Sequence, residues 1–333
     1  MQKKMVFVGT AGHVRYVLAD LAAHRQVRFS AYAPSFPGEE VASLGRVDSG
    51  DGPARRYDDW RAMLDAECPD NVVVCGRYDL NAPIALEAVR RGCHVISEKP
   101  AATTLADLAA LREAVAKAGV LYTSMLGMRY ALPFYTARTL VAEGLIGEVY
   151  LINGQKSYRW GNNRPEWYAD PVAYGSTMGW VGIHAFDYCR WIAGVEFAEV
   201  CGYHANLVHT ERPGCQDVAT VAARLTNGGC ASFTMDYLRP EAASTHGDDR
   251  ARIVGSRGIL EIRDEGRRLE VITADREVAE WPLPEHGRTF FGDFVAALEG
   301  RGELLITAEE AFRVTEFALK AALSADEGRP VRM

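Results

Sequence analysis

"VFVGTAGHVRYVL", residues 6–18, joins an apolar run to a helical pattern through a glycine. A strand, a glycine turn and a helix open a dinucleotide-binding unit, ordinarily with the spacing G-x-G-x-x-G. Here Gly9 fills the first slot, Ala11 the second and Val14 the third, with a further glycine at Gly12. Gly9 permits the tight turn. Ala11 adds a methyl where the backbone must approach a pyrophosphate, and Gly12 supplies freedom for the loop to shift. The start of the following helix would point N–H groups at an anion. Taken alone, the loop reads either as a phosphate site or as a plain α/β turn.

The surrounding chain favours an open parallel sheet. Strand and helix patterns alternate up to residue 124: "MVFVGT", a helix over "AGHVRYVLADLAAH", "VRFSAYAP", an irregular Gly/Pro-rich stretch at 50–53, "DDWRAMLDAE", "NVVVCG", "LNAPIALEAVRRG", "CHVISEKP", "TLADLAALREAVAKAG" and "VLYTSM". "NVVVCG" is apolar throughout, as a strand covered on both faces requires. Repeated β-α-β units force parallel strands and right-handed crossovers. Beyond 125 the pattern changes to successive strands, with a turn at "TNGG" 226–229 and helices near 179–192, 289–299 and 307–325. The fold class is therefore α/β: a doubly wound Rossmann domain over 1–124, then an α+β domain over 125–333 with a mostly antiparallel open sheet.

Composition narrows the partners. The 333-residue chain is 48% hydrophobic and 24% charged, with net charge −7, which gives no electrostatic reason to expect nucleic acid or an anionic membrane. No apolar run approaches the ~20 residues of a membrane span, and "MQKKMVFVGT" shows no signal-peptide core. Seven cysteines without a CxxC pair fit reduced thiols in a cytoplasm and no cysteine-based metal site. His204 and His209, read as one strand, face opposite sides and make no metal pair.

Two segments carry chemistry. In "HVISEKPAATTLADLAAL", 94–111, a strand ends at Glu98-Lys99-Pro100. Strand ends of this kind face the ligand crevice, and desolvation there lowers a lysine pKa toward the range useful for proton exchange. Pro100 sets the chain direction and is a candidate for a cis bond. The competing reading is a strand-end ion pair. In "GWVGIHAFDYCRWIAG", 179–194, His184, Asp187, Tyr188 and Trp191 share one helical face. Near a helix start the dipole keeps an imidazole neutral and able to accept a proton; the competing reading is a core histidine held by Asp187.

Together with the ending "TAEEAFRVTEFALKAALSADEGRPVRM", these blocks resemble the glucose–fructose oxidoreductase / inositol dehydrogenase (Gfo/Idh/MocA) family of NAD(P)-dependent oxidoreductases. The matches are "GCHVISEKPAATT" to the family's G-x-H-V-x-x-E-K-P block, "GWVGIHAFDYCRWIAG" to its G-x-H-x-x-D segment, and the terminal helix to its Ala-Ala-x-x-Ser-Ala-x-x-Gly-Arg-x-Val finish. The resemblance implies hydride transfer between NAD or NADP and a hydroxyl carbon of a sugar, sugar acid or cyclitol. It implies Lys99 and His184 as catalytic acid/base groups and Glu98 beside the nicotinamide ribose. It extends the cofactor contacts from Gly9, Ala11 and Gly12 to Thr10, His13, Ser35, Cys75, Gly76, Tyr78, Asn81, Lys99 and Arg129. It also implies a homo-oligomer, dimer or tetramer, built through the C-terminal sheet.

Three departures from the family pattern stand out: the glycine loop, Asn81 in a slot that often holds histidine, and Trp180 four residues before His184, where an aspartate is frequent. Trp180, Ala11 and Ala33 together keep open a binding-only sensor or regulatory protein, and a cofactor-assisted lyase or glycosidase is a third reading. Ala33 stands where an acid normally grips the ribose, and Ser35 suits either a hydroxyl or a phosphate, so NAD and NADP are not distinguished. On the substrate side, Tyr158, Trp160, Trp167, Tyr168, Tyr174, Trp180, Phe186, Tyr188 and Trp191 crowd one region. Aromatic faces with polar tips suit sugar rings; Tyr158, Trp160 and Trp180 join Lys99 and His184 as the substrate set. Arg129, Arg159 and Arg164 offer a clamp for a carboxylate or phosphate.

Overall fold

A computed structural model of the chain describes residues 2–47, 52–162 and 164–333. Gly50 and Asp51 of the Gly/Pro-rich stretch lie outside the described residues. The elements are, in order, β1 (Lys3–Val8), α1 (Arg15–Leu18), β2 (Val27–Ala33), β3 (Arg55–Arg56), α2 (Trp60–Glu67), β4 (Asn71–Val74), α3 (Tyr78–Arg90), β5 (His94–Ser97), α4 (Leu105–Ala118) and β6 (Tyr122–Ser124). There follow α5 (Leu132–Ala142), β7 (Val149–Arg159), α6 (Pro171–Tyr174), α7 (Ile183–Ala193), β8 (Phe197–Ala205), β9 (Val218–Leu225), β10 (Cys230–Arg239), β11 (Gly247–Gly255), β12 (Gly258–Arg263), β13 (Arg268–Thr273) and β14 (Arg276–Glu280). The chain ends with α8 (Phe290–Leu298), α9 (Ala308–Glu327) and β15 (Val331–Arg332).

These pack as two compact units, Met1–Gly127 with Arg288–Thr315, and Met128–Gly287 with Glu316–Met333. The sequence alone suggested a single boundary after residue 124, whereas residues 288–315 return to the first unit. They are drawn there by specific contacts. The Thr123 hydroxyl donates to the Ile306 carbonyl (2.8 Å), the Ala101 N–H donates to Thr315 Oγ1 (3.3 Å), and Phe312 packs on Tyr122 (4.9 Å between centroids).

The first unit holds a six-stranded sheet in the order β3-β2-β1-β4-β5-β6, parallel at every pairing. β4 is buried at all four positions, as expected of a strand covered on both faces. The strand order reverses between β1 and β4, which opens a crevice at their carboxyl ends. Helix α4 starts where expected: Thr104 Oγ1 accepts the Asp107 N–H at 3.1 Å, and Gly119 closes the helix at φ 64°.

One helix is much shorter than its sequence pattern. The expected 11–24 helix is the four-residue α1 followed by a 3-10 turn at Leu21–Ala23. Between them Asp20 turns aside, accepting the Thr289 hydroxyl at 2.5 Å and pairing with His24 Nε2 at 3.1 Å.

The second unit is built on a nine-stranded sheet, β14-β13-β12-β11-β7-β10-β9-β8-β15, antiparallel except where β7 meets β10. The "TNGG" turn joins β9 to β10, with Gly228 at φ 87° and the Leu225 N–H donating to the Gly229 carbonyl at 2.8 Å. β9 and β10 alternate buried and exposed residues. Inward side chains meet a phenyl cluster, in which Phe317 lies 4.0 Å from Phe197 and 4.9 Å from Phe186, and Phe186 lies 5.0 Å from Phe233. The opposite face is polar, with Asn153, Gln155, Ser232, Thr234, Arg250 and Arg252 lining an open groove. Phe317→Ala is expected to lower unfolding stability by about 3–5 kcal/mol, because a ring-sized cavity cannot collapse in this cluster. Urea denaturation measures it, and an unchanged midpoint would show that the cluster is not the core of the unit.

Candidate functional site

In the first unit the site forms where β1, β2, β4 and β5 end. Gly9 follows β1 at φ 78°, and a Cβ there would overlap the Cys75 carbonyl at the end of β4. The same carbonyl accepts the Ala11 N–H at 2.8 Å. Gly12, at φ 77°, leaves room for the carboxylate of Glu98, into which a side chain would project. The two obligatory glycines are thus spaced G-x-x-G. The apparent loss at Ala11 is matched by a loop that requires glycine one position later.

Glu98 is fully buried at the end of β5. Its Oε2 accepts the His13 N–H at 2.5 Å, and its Oε1 pairs with His13 Nδ1 at 2.9 Å and accepts the Lys99 N–H at 3.0 Å. Lys99 is itself fully buried, and the Lys99–Pro100 bond is cis. Asn81 ties the end of β4 to this segment: its Oδ1 accepts the Gly76 N–H (3.1 Å) and its Nδ2 donates to the Pro100 carbonyl (3.5 Å). Cys75 and Tyr78 are buried beside it, and burial pushes the Cys75 thiol well above its ordinary range. Gly76 packs on Ser35.

Across the loop, at the end of β2, the carboxylate of Glu39 accepts the Thr10 N–H (3.1 Å), the Ser35 N–H (2.6 Å) and the Ser35 hydroxyl (2.7 Å). Gly9, Thr10, Ala11, Gly12, His13, Ser35, Cys75, Gly76, Tyr78, Asn81, Glu98 and Lys99 therefore occupy one end of one sheet. The helix that was to offer its N–H groups is only four residues long, so the glycine loop, held close to Cys75 and Glu98, rather than a helix dipole, is what the chain presents at this strand end.

The second unit holds Arg129, Tyr158, Trp160, Trp180 and His184. His184 is 2% exposed, and its ring stands edge-on to Tyr158 at 6.4 Å. It is the second residue of α7, and a π-helical turn over Met178–Gly182, which includes the buried Trp180, runs into that helix. Asp187 is engaged by Arg129, whose Nη2 lies 2.5 Å from Oδ1 and whose Nε lies 3.0 Å from Oδ2. Both groups are buried. Arg129 is thus committed to an internal ion pair, and the role expected for it in a cofactor or anion clamp has to be shared with that bond.

Tyr158 stacks on His246 (4.7 Å) and lies beside Lys156 Nζ (4.6 Å), which pairs with Asp249 at 2.5 Å. Trp160 stacks on His209 (4.1 Å), and Arg164 lies over Tyr237 at 4.8 Å. Arg159 Nη1 donates to the Glu241 carbonyl (3.1 Å), and Arg164 donates to the carbonyls of Trp160 (2.6 Å) and Arg159 (2.8 Å). Phe186, Tyr188 and Tyr174 belong to the core; the Tyr188 hydroxyl donates to the Gln155 carbonyl at 2.5 Å. His209 lies in the loop after β8 rather than on the strand, so strand parity does not place it.

Comparison with known proteins accounts for this arrangement. Residues 3–125 match the family model described as the oxidoreductase family, NAD-binding Rossmann fold, and residues 134–261 match the GFO/IDH/MocA C-terminal domain. The chain belongs to the GFO/IDH/MocA oxidoreductase family. Among solved structures, a Thermotoga maritima protein provisionally described as an oxidoreductase is 39% identical, with TM-score 0.93, over 99% of this chain and 100% of that one. Among curated relatives, myo-inositol 2-dehydrogenase of Thermotoga maritima is 27% identical over 68% of this chain and 66% of its own length. Levoglucosan dehydrogenase of Pseudarthrobacter phenanthrenivorans is 26% identical over 50% of this chain and 45% of its own. The chain thus spans roughly half to two thirds of the curated relatives it matches. Among the described residues no helix is long and apolar enough to cross a membrane.

Reading the sequence missed Glu39, His246, Lys156 and Asp249 as neighbours of family positions. Glu39 lies beyond β2, past the position where an acid is sought. Lys156 with Asp249 and Tyr158 with Gly247 are opposite one another in the β7–β11 register, which no local motif reveals. Burial and the nearby Arg164, Arg159 and Lys156 charges lower the His246 pKa to about 4. An unfolded histidine titrates near ~6.5, so between these values the native state binds fewer protons. The stability contributed is present above the unfolded value and is lost as pH falls toward the native one. His246→Gln should flatten the fall in Tm between those limits; equal slopes in variant and parent would rule the assignment out.

Proposed function

We propose that this family member oxidises or reduces a hydroxyl carbon of a sugar, sugar acid or cyclitol with NAD or NADP, using the first unit for the dinucleotide and the second for substrate and oligomer contacts. The observation that supports it most is the joint placement of the Gly9–Gly12 loop and buried Glu98 and Lys99 at the strand ends of the first unit, beside its strand-order reversal. Open α/β sheets bind ligands at such a point.

When bound, the nicotinamide supplies hydride acceptance and donation at its C4. The chain's own part is positioning and proton transfer. Gly9, Thr10, Ala11, Gly12 and His13 line the pyrophosphate side. Ser35, Cys75, Gly76, Tyr78, Asn81 and Arg129 shape or brace the remaining contacts, and Glu98 faces the nicotinamide ribose. Lys99 and His184 are the acid/base groups of this reading: the imidazole would accept the hydroxyl proton in oxidation and the amine would hydrogen-bond the oxygen. Tyr158, Trp160 and Trp180 present aromatic faces to the sugar ring. The polar outer face of the nine-stranded sheet supports a dimer or tetramer, and seven free cysteines support a reducing cytoplasm.

The test is reduction of added NAD or NADP by a panel of polyols, aldoses and sugar acids. Lys99→Ala and His184→Asn should each lower kcat by about 10²–10⁴-fold with nucleotide binding retained. Nucleotide binding without turnover of any panel member would instead favour a sensor. Tightly bound cofactor released only on denaturation, with no net reduction, would favour a lyase or glycosidase.

A further inference from the structure

We propose that Glu39 is the ribose-gripping acid of this chain and that it selects NAD over NADP. The inference rests on the dinucleotide reading above and adds to it the identity of the cofactor.

Strand β2 ends at Ala33, where no carboxylate is available. The chain then makes a turn with Gly38 at φ 88° and the Glu39 N–H donating to the Phe36 carbonyl at 3.2 Å. This turn brings Glu39 back to the strand end. There Oε2 accepts both Ser35 donors, at 2.6 and 2.7 Å, and Oε1 accepts the Thr10 N–H at 3.1 Å. Oε1 also lies 3.0 Å from where a Gly9 Cβ would stand. An acid supplied six residues late thus reaches the glycine loop and the end of β2 together.

Counting lone pairs decides what it can bind. An ionised carboxylate offers about four acceptor sites; three are filled by protein donors, and the remaining one is on Oε1. Glu39 is half-buried, so a ligand can reach that site. A ribose hydroxyl donates into it. A 2′-phosphate has no hydrogen to donate near neutral pH and meets a like charge held by three hydrogen bonds. Ser35, which by sequence suited either group, is committed as well: its hydroxyl hydrogen goes to Glu39, and its oxygen accepts the Arg77 N–H at 3.3 Å. The guanidinium of Arg77, placed at 5.4 Å over Phe36, pairs with Asp79 through Nε (2.7 Å) and Nη2 (2.8 Å). Its charge is therefore already offset.

The test measures NADH and NADPH affinities of the full chain by nucleotide fluorescence. The parent should prefer NADH by ~10-fold or more, the size expected of one hydrogen bond to a charged group. Glu39→Gln should weaken NADH and bring the two affinities together, with Glu39→Asp, which keeps the charge, retaining a preference for NADH. Equal or tighter NADPH binding by the parent, or an unchanged ratio in folded Glu39→Gln, overturns the assignment. Failure of the parent to bind either nucleotide overturns the dinucleotide reading, and this inference with it.

Discussion

A single buried carboxylate organises the first unit's site. Glu98 ends β5 with no exposure to solvent, a costly position for an anion unless donors surround it. Its donors come from the glycine loop after β1, through the His13 N–H and ring, and from the Lys99 N–H of its own chain. The carboxylate therefore ties the glycine loop after β1 to the end of β5, through residues 85 apart in sequence. Gly12 is the steric condition for this contact, because any side chain there would occupy the carboxylate's place. Loop, strand end and lysine are consequently held as one arrangement.

The second unit uses the same economy of buried charge. Arg129 with Asp187, and Lys156 with Asp249, are ion pairs with almost no solvent contact. Removing one partner of such a pair leaves an uncompensated charge, so these pairs constrain geometry more than they add net stability. The first ties the turn at residues 127–130 to α7, and the second ties β7 to β11 beside the Tyr158 ring. Burial, and after it the charges of Arg164, Arg159 and Lys156, lower the His246 pKa, which favours the uncharged form of the ring that stacks on Tyr158.

Much of this was legible in the sequence. The all-apolar "NVVV", the capped helix from Thr104 and the "TNGG" hairpin each follow from local physics: two-sided burial, a side-chain acceptor for an orphan amide, and a positive φ. The Glu98-Lys99-Pro100 strand end was also readable, because a parallel sheet directs such ends to its crevice. The helix over 11–24 was misjudged for an equally physical reason. Its apolar spacing is helical, but past Leu18 the backbone turns to 3-10 bonding, and Asp20 pairs with Thr289, far along the chain.

What the sequence determined by itself is the alternation of elements, and hence the parallel sheet and the positions of its strand ends, since hydrophobic period and turn chemistry act over a few residues. Tertiary structure decided which late residues arrive at those ends. Glu39 reaches the end of β2 through a turn, residues 288–315 rejoin the first unit through Thr123 and Tyr122, and Asp249 meets Lys156 only in the register of β7 with β11. Such contacts depend on loop closure and strand pairing between distant segments, and a local pattern carries no information about either.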